Sequence, residues 1–338
     1  MLGVVMVSLG FAQTDLQPVA IVRLTKSEPI TVKQYRTEIE KLEQQTGRAL
    51  TGTEKRQVLD VMINERLALQ AAERDKITLS DGEVNQQLQE LRNNMSQSLG
   101  RAPTEAEFAA AVRNETGLDI PAFREQLRKQ LLIQKYMMEK KKDSFSSLKP
   151  PSEAEITNAY NLAKAQLVRP DTVRFSMIQA TFNDAASKLK AKEIADRLVR
   201  EIGTNPSKFD EVLLKGQTPN VDYQAGDGGY LPRNLQAQQI VGQEFITIAF
   251  TLKQGEVSRL IENTRGYQII KVTETYGQKN LELDDIFQLG TKITVRDYIG
   301  NSLLQERQQA LIEKVTAELV ADLRAGNPYQ IIEANLNF

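Results

Sequence analysis

Hydrophobic positions in the first half of the chain repeat at helical spacing. After Thr51, residues Leu59, Met62, Ile63 and Leu67 line one stripe with charges between them. Val84, Leu88 and Leu91 do the same after Ser80, and Phe123, Leu127, Leu131 and Ile133 after Asp119. A Ser or Thr followed three residues later by Glu marks four starts: Thr51/Glu54, Ser80/Glu83, Thr104/Glu107 and Ser152/Glu155. In such a capping box the hydroxyl satisfies an orphan N–H of the first turn while the Glu reaches back. Asp119 caps a further helix with Pro121 near its first position. A short strand, Val19–Val22, and a helix from about Val32 to Gln45 precede these, and Gly47 and Gly52 break the chain. The Lys140-Lys141-Lys142 run suits a helix C-terminus and reads as a solvated end rather than a binding patch.

Residues 144–152 (SFSSLKPPS) form a linker, because Pro150-Pro151 stops a helix and favours extended chain. A capped helix from Ser152 to about Leu167 leads to Arg169-Pro170, and the pattern then changes. Val173–Phe182 reads as a strand, Asp184–Ile202 as a helix ending at Gly203, and Phe209–Leu214 as a short helical piece. Gly226-Asp227-Gly228-Gly229 reads as a tight turn and Phe245–Leu252 as another short helix. Val257–Glu262 and Tyr267–Thr273 flank Asn263-Thr264-Arg265-Gly266 as an antiparallel hairpin. That order describes an α+β domain of roughly 100 residues. Helical periodicity returns from Ile293 through Tyr298, Ile299, Leu303, Leu311, Val315 and Leu319 to Leu323, ending at Gly326-Asn327-Pro328. This apolar stripe must be buried, and packing back on the N-terminal helices is the economical solution. The fold class expected is α+β: a helical domain over 18–168, an inserted α+β domain over 171–276, and a returning helix over 290–326.

Composition narrows the chemistry. The 338 residues suggest about two domains. Lys+Arg 43 against Asp+Glu 44 gives a formal net charge of −1, without the basic excess of a nucleic-acid binder. There is no Cys and no His. That excludes disulfides, thiolate zinc sites, a cysteine nucleophile, Ser-His-Asp triads and histidine metal sites. No P-loop, G-x-G-x-x-G or calcium-loop pattern occurs, so no cofactor is expected. Leu2–Phe11 is a short apolar run ending at Gly10-Phe11-Ala12, which reads as a signal peptide over residues 1–12. The run is too short to span a bilayer, so an exported, soluble chain without a membrane span is expected after cleavage.

Several motifs then arrive in a telling order. The strand Val173-Arg174-Phe175-Ser176-Met177-Ile178 is followed by Gly226-Asp227-Gly228-Gly229-Tyr230-Leu231. Next come Phe245 and Ala249-Phe250-Thr251-Leu252-x-x-Gly255-Glu256-Val257-Ser258, and last Gly266-Tyr267-Gln268-Ile269-Ile270-Lys271-Val272. The set resembles a parvulin-type peptidyl-prolyl isomerase domain. Val22–Lys33 and Arg56–Glu83 resemble the N-terminal domain of SurA-like and PrsA-like exported foldases, and Tyr298–Leu323 resembles the returning C-terminal helix of SurA. The missing lipobox Cys and the returning helix favour the SurA side of that resemblance.

Parvulins usually carry two facing histidines. Here Met177 (Ser176 if the alignment slips by one) and Gln268 take those positions, and the acid upstream of the Gly-rich turn has no secure counterpart, Asp222 being nearby. Asp227 reads as fixing its turn rather than as an acid catalyst. The proline pocket aligns with Val241, Phe245 and Phe250, which suit either a pocket or plain core packing. The resemblance implies a periplasmic, ATP-independent chaperone that binds unfolded exported or outer-membrane polypeptides in a cradle of N-terminal helices and the Tyr298–Leu323 helix. Its parvulin domain would have weak or lost isomerase activity. An active isomerase of exported proteins is the alternative, and a structural adaptor holding one fixed partner is a third.

Overall fold

Each expected capping box closes as hydrogen bonds in the computed structural model, which describes residues 15–218 and 221–336. The candidate leader over 1–12 lies outside the described residues. In chain order the strands are β1 (Pro18–Val22), β2 (Glu28–Thr31), β3 (Val168–Arg169), β4 (Thr172–Thr181), β5 (Gln224–Pro232), β6 (Ile261–Asn263), β7 (Gly266–Tyr276), β8 (Lys279–Asn280) and β9 (Tyr329–Ile331). The helices are α1 (Val32–Thr46), α2 (Gly52–Arg74), α3 (Asp81–Leu99), α4 (Glu105–Thr116), α5 (Ile120–Lys140), α6 (Lys142–Ser146) and α7 (Glu153–Ala163). They continue with α8 (Ala185–Ile202), α9 (Pro206–Lys215), α10 (Leu235–Val241), α11 (Gln243–Thr251) and α12 (Val295–Arg324). Thr51, Ser80, Thr104 and Ser152 cap α2, α3, α4 and α7, each with its reciprocal Glu, and Asp119 caps α5.

The chain divides into two units, Met1–Lys149 with Arg307–Phe338, and Pro150–Glu306. The first is helical around a small antiparallel sheet of order β2-β1-β9. Its core joins Val19, Ile30, Tyr35, Leu59, Ile63, Leu67 and Tyr136 to Leu319 and Leu323 of α12. Polar contacts fix the same closure. Arg324 donates to Asn64 Oδ1 at 2.7 Å and Asp60 Oδ1 at 2.8 Å, and Lys141 Nζ to Glu318 at 3.1 Å. Gln70 is buried on α2, and its Oε1 accepts the Leu24 and Thr25 N–H groups at 3.1 and 3.0 Å, holding the β1–β2 connection. Two members of the basic run are thus engaged, since Lys140 also pairs with Asp75 at 2.9 Å.

The second unit contains the four-stranded antiparallel sheet β5-β4-β7-β6. Strand β4 sends alternate residues to opposite faces. Ile178 and Ala180 enter a core with α8 and α9, whereas Val173 and Phe175 enter another with α10 and α11. The segment after the linker belongs to this unit rather than to the helical region drawn through residue 168. Ile156 and Tyr160 of α7 pack with Leu167, Leu281, Val295 and Ile299. The division therefore falls within α12. Strands β3 and β8 pair Val168 with Asn280 and Arg169 with Lys279, and the Gln278 N–H reaches Asp171 Oδ1 at 2.8 Å, so the ends of the four-stranded region lie side by side.

One expectation is corrected. Gly226–Gly229 is not a turn but part of the continuous strand β5, with a bulge where Phe175 pairs with Gly229 and Ser176 with Asp227, leaving Gly228 extra. A Cβ at Gly228 would stand 2.2 Å from the Phe175 ring, and Gly229 has φ of +77°, so this bulge requires glycine at both places. The first arm of the hairpin is also shorter than expected: β6 covers Ile261–Asn263, with Val257 making an isolated bridge to Lys271.

Two outcomes are expected. Ile63→Ala should cost the first unit about 2–5 kcal/mol in urea unfolding, because the side chain is fully buried. The Glu54, Glu83 and Glu107 carboxyls are each held down at about 2, first by Arg48, Lys135 and Arg101 respectively and then by the capping N–H and hydroxyl. A depressed folded value stabilises above the unfolded value and is lost as pH falls through the folded one. Melting temperatures measured from pH 5 down to 2 should fall, and the triple Gln variant should flatten that fall.

Candidate functional site

The face of β4 that carries Phe175 also carries Met177, and the matching face of β7 carries Gln268, Ile270 and Val272. Met177 pairs with Ile270 and Gln179 with Gln268, so Met177 and Gln268 share one face a diagonal step apart on neighbouring strands. Gly266 permits that close pairing, since a Cβ there would lie 2.6 Å from the Ala180 carbonyl oxygen. Phe245 of α11 meets Phe175 edge-on at 5.3 Å and is 2% exposed. Met177, Val241 and Phe250 lie half-buried at the margin of the same cluster, with the Arg233 guanidinium 5.4 Å over the Phe250 ring. Four of the sequence-derived positions thus converge on one apolar cluster beside Gln268. In this conformation Phe245 is packed as core, and a proline ring reaches it only if neighbours move.

Beside Met177, amides form a row across all four strands. Asn263 Nδ2 donates to Gln268 Oε1 at 3.1 Å, Gln268 Nε2 to Gln179 Oε1 at 3.5 Å, and Gln179 Nε2 to Gln224 Oε1 at 2.8 Å. The row runs from the 9% exposed Gln268 out to the exposed Gln224 on the edge strand β5. Gln179, Gln224 and Asn263 were not singled out in the sequence. The available signal was Gln179 two residues after Met177, which places both on one strand face. Ser258, also buried, accepts the Ile270 N–H at 2.9 Å and closes the ladder where β6 is short.

Asp227 stands apart from this cluster. It pairs with Ser176, on the face opposite Met177. Its Oδ1 accepts the Gly229 N–H at 2.9 Å and Oδ2 takes Arg174 at 2.7 Å. The Arg174 guanidinium, followed by that N–H, holds the carboxyl below the usual carboxylate range, so it is an anion at neutral pH and no proton donor. Arg174 also binds Glu274 at 2.9 Å and covers the Tyr230 ring at 5.3 Å. Asp222 is likewise engaged, by both guanidinium nitrogens of Arg197 at 2.5 and 3.0 Å. Among the described residues no group of His, Cys, Asp or Glu is arranged to hold a metal ion.

In the first unit, α1, α2 and α5 enclose an open groove of about 1020 Å³. Leu42, Leu50, Val58, Val61 and Met62 supply its apolar surface, and Val61 is 65% exposed. Lys41, Glu38, Glu65 and Lys129 lie around it. The lining comes from α1, the α1–α2 connection, α2 and α5, not from the Tyr298–Leu323 helix expected to share a cradle. That helix meets the unit through the buried Leu319 and Leu323 instead.

Gln268→Leu should destabilise the second unit by about 1–3 kcal/mol, because the Asn263 and Gln179 amides lose a partner beside a buried position. Gln268→Glu should be worse at neutral pH than at pH 4, where protonation restores a neutral carboxyl. Thermal melts of both variants at the two pH values check this.

Two family models match the chain. Residues 3–137 match the SurA-like N-terminal domain, and residues 151–287 the PPIC-type PPIase domain. The foldase protein PrsA of Clostridium botulinum strain Hall is 27% identical over 290 residues, spanning 84% of this chain and 76% of that protein. The chaperone SurA of Nitrosococcus oceani is 27% identical over 237 residues, spanning 68% of this chain and 50% of that one. A solved structure described as one of two related SurA-like chaperones of Campylobacter jejuni is 14% identical with a TM-score of 0.41, covering 94% of this chain and all of that one (100%). Among the described residues no helix is long and apolar enough to cross a membrane. The chain is therefore built from a SurA-like N-terminal domain followed by a parvulin domain of the PPIC type.

Proposed function

We propose that this protein is an exported, periplasmic chaperone that works without ATP, holding unfolded segments of exported and outer-membrane polypeptides. The observation that carries this reading is the apolar groove between α1, α2 and α5 in the SurA-like unit. Its volume of about 1020 Å³ suits several side chains of an extended segment, and exposed Val61 offers apolar surface to water. The relatives named foldase and chaperone support the same reading.

The parvulin domain keeps its scaffold and has weak or no turnover. Twisting an X-Pro bond crosses about 18–20 kcal/mol. A site lowers that barrier only through contacts stronger to the twisted amide than to the planar one. Met177 offers no imidazole N–H, Gln268 is committed to neighbouring amides, and Phe245 is closed into the core. Leu235 and Ile240 of α10, 76% and 73% exposed, give the domain apolar surface that suits client contact without chemistry. The second reading, an active isomerase, is favoured by Phe245, Phe250 and Met177 gathering on one cluster.

Two experiments separate these readings. Val61→Asp should weaken suppression of client aggregation several-fold with an unchanged melting temperature, since the side chain is exposed. Deleting 171–276, whose ends β3 and β8 hold together, should leave suppression intact; loss of suppression on deletion overturns the groove reading. In a cis-to-trans assay with an X-Pro peptide the full chain should give no concentration-dependent acceleration, and Met177→His with Gln268→His should not restore strong turnover. Clear acceleration by the unaltered chain puts the isomerase first.

A further inference from the structure

A second cavity, of about 560 Å³, opens at the start of β4, seven residues and roughly 23 Å along the strand from the amide row. Arg169 lines it, together with Gln166, Leu281, Phe287, Gln288 and Leu289. The Arg169 guanidinium lies 5.3 Å over the Tyr276 ring, and its Nε is buried with no hydrogen-bond partner. No ion pair joins Arg169 to a carboxylate among the described residues. The contrast with Arg174 is direct. That guanidinium also covers a tyrosine, but Asp227 and Glu274 neutralise it. The acids near Arg169 are already taken. Asp285 accepts from Lys279 Nζ at 2.6 Å and from the Glu282 N–H at 2.8 Å, and Asp171 accepts the Gln278 N–H. Tyr276 donates its hydroxyl to Glu274.

Arg169 acts on the Asp285 carboxylate only through space, that group being bonded elsewhere, so the half-buried cation is incompletely compensated, and a ring face offsets only part of the remaining cost. A guanidinium presents paired donors that match a carboxylate. The wall beside it is apolar, which selects a carboxylate attached to an apolar body over inorganic phosphate. The cavity volume suits one or two residues. The α-carboxylate of a chain end carries an apolar side chain on the same residue, whereas an internal Asp or Glu does not. We propose that Arg169 binds the C-terminal carboxylate of a polypeptide whose last residue is apolar, the Gln166 and Gln288 amides meeting the adjoining backbone. The choice of a polypeptide rests on the chaperone reading above.

The test uses the full chain and a dye-labelled octapeptide ending in leucine, followed by fluorescence anisotropy. Three forms are compared: the free acid, the C-terminal amide, and an amide with one internal Glu. The free acid should bind about tenfold more tightly than the amide, with the gap narrowing as salt rises. Arg169→Gln should remove the gap and Arg169→Lys keep part of it. The melting temperature of Arg169→Gln should be no lower than the parent's, since removing the charge relieves more cost than the lost contact with the Tyr276 ring adds. Equal binding of acid and amide overturns the proposal, as does a preference that survives Arg169→Gln. An internal-Glu amide that binds as well as the free acid overturns the chain-end assignment. If the acid preference holds while aggregation suppression fails, the carboxylate site stands and the chaperone reading falls; the reverse result removes this site alone.

Discussion

Pairing of β9 with β1 is the contact on which the first unit depends. Ala20 faces Ile331 and Val22 faces Tyr329, so residues about 310 positions apart share one sheet. The helical core is incomplete without them, because Leu319 and Leu323 arrive on the same returning segment. Closing so long a loop costs little more than closing a short one, since the entropy grows only with the logarithm of length. A whole domain can therefore stand between the two halves of this core. The same device recurs on a smaller scale, where the two-residue strands β3 and β8 clamp the ends of the parvulin domain.

Within the parvulin domain, the packing scaffold and the polar positions answer to different constraints. The scaffold lies in the alternation of β4, which feeds two cores on opposite faces, and in close approaches that allow only glycine, at Gly228 and Gly266. These requirements are steric and persist whatever the site does. The polar positions carry no such constraint: Met177 sits at the margin of the apolar cluster and Gln268 is hydrogen-bonded to its neighbouring amides. Asp227, the acid most exposed to misreading as a catalyst, braces the bulge from the other face.

Local rules were legible in the sequence, and long-range ones were not. A capping box needs four consecutive residues, so Thr51, Ser80, Thr104 and Ser152 could be read directly. The apolar periods of α2, α3 and α5 and the hairpin around Asn263 followed from the same short reach. Gly226–Gly229 looked like a turn because glycines and an aspartate signal one; only the partner strand reveals a bulge. Strand β9 is three residues of Tyr-Gln-Ile and carries no signal apart from its partner. The motif order made Met177 and Gln268 visible through resemblance, but their relation to Gln179, Gln224 and Asn263 is a matter of register. The groove of the first unit is likewise a product of how three helices pack, and Val61 reads in sequence as one more apolar residue.

The row of amides has a consequence for the conditions under which the site keeps its character. Imidazoles change charge near neutrality, so a pair of them would carry a different electrostatic field at pH 5 than at pH 8. Side-chain amides neither gain nor lose protons across that range. Asn263, Gln268 and Gln179 hand their donors in one direction across the sheet to Gln224, so the row is polar without being charged. The charge state of the row is therefore the same in mild acid and in mild alkali. This row of the sheet is thereby indifferent to the acidity of its surroundings, as a pair of imidazoles in the same place would not be.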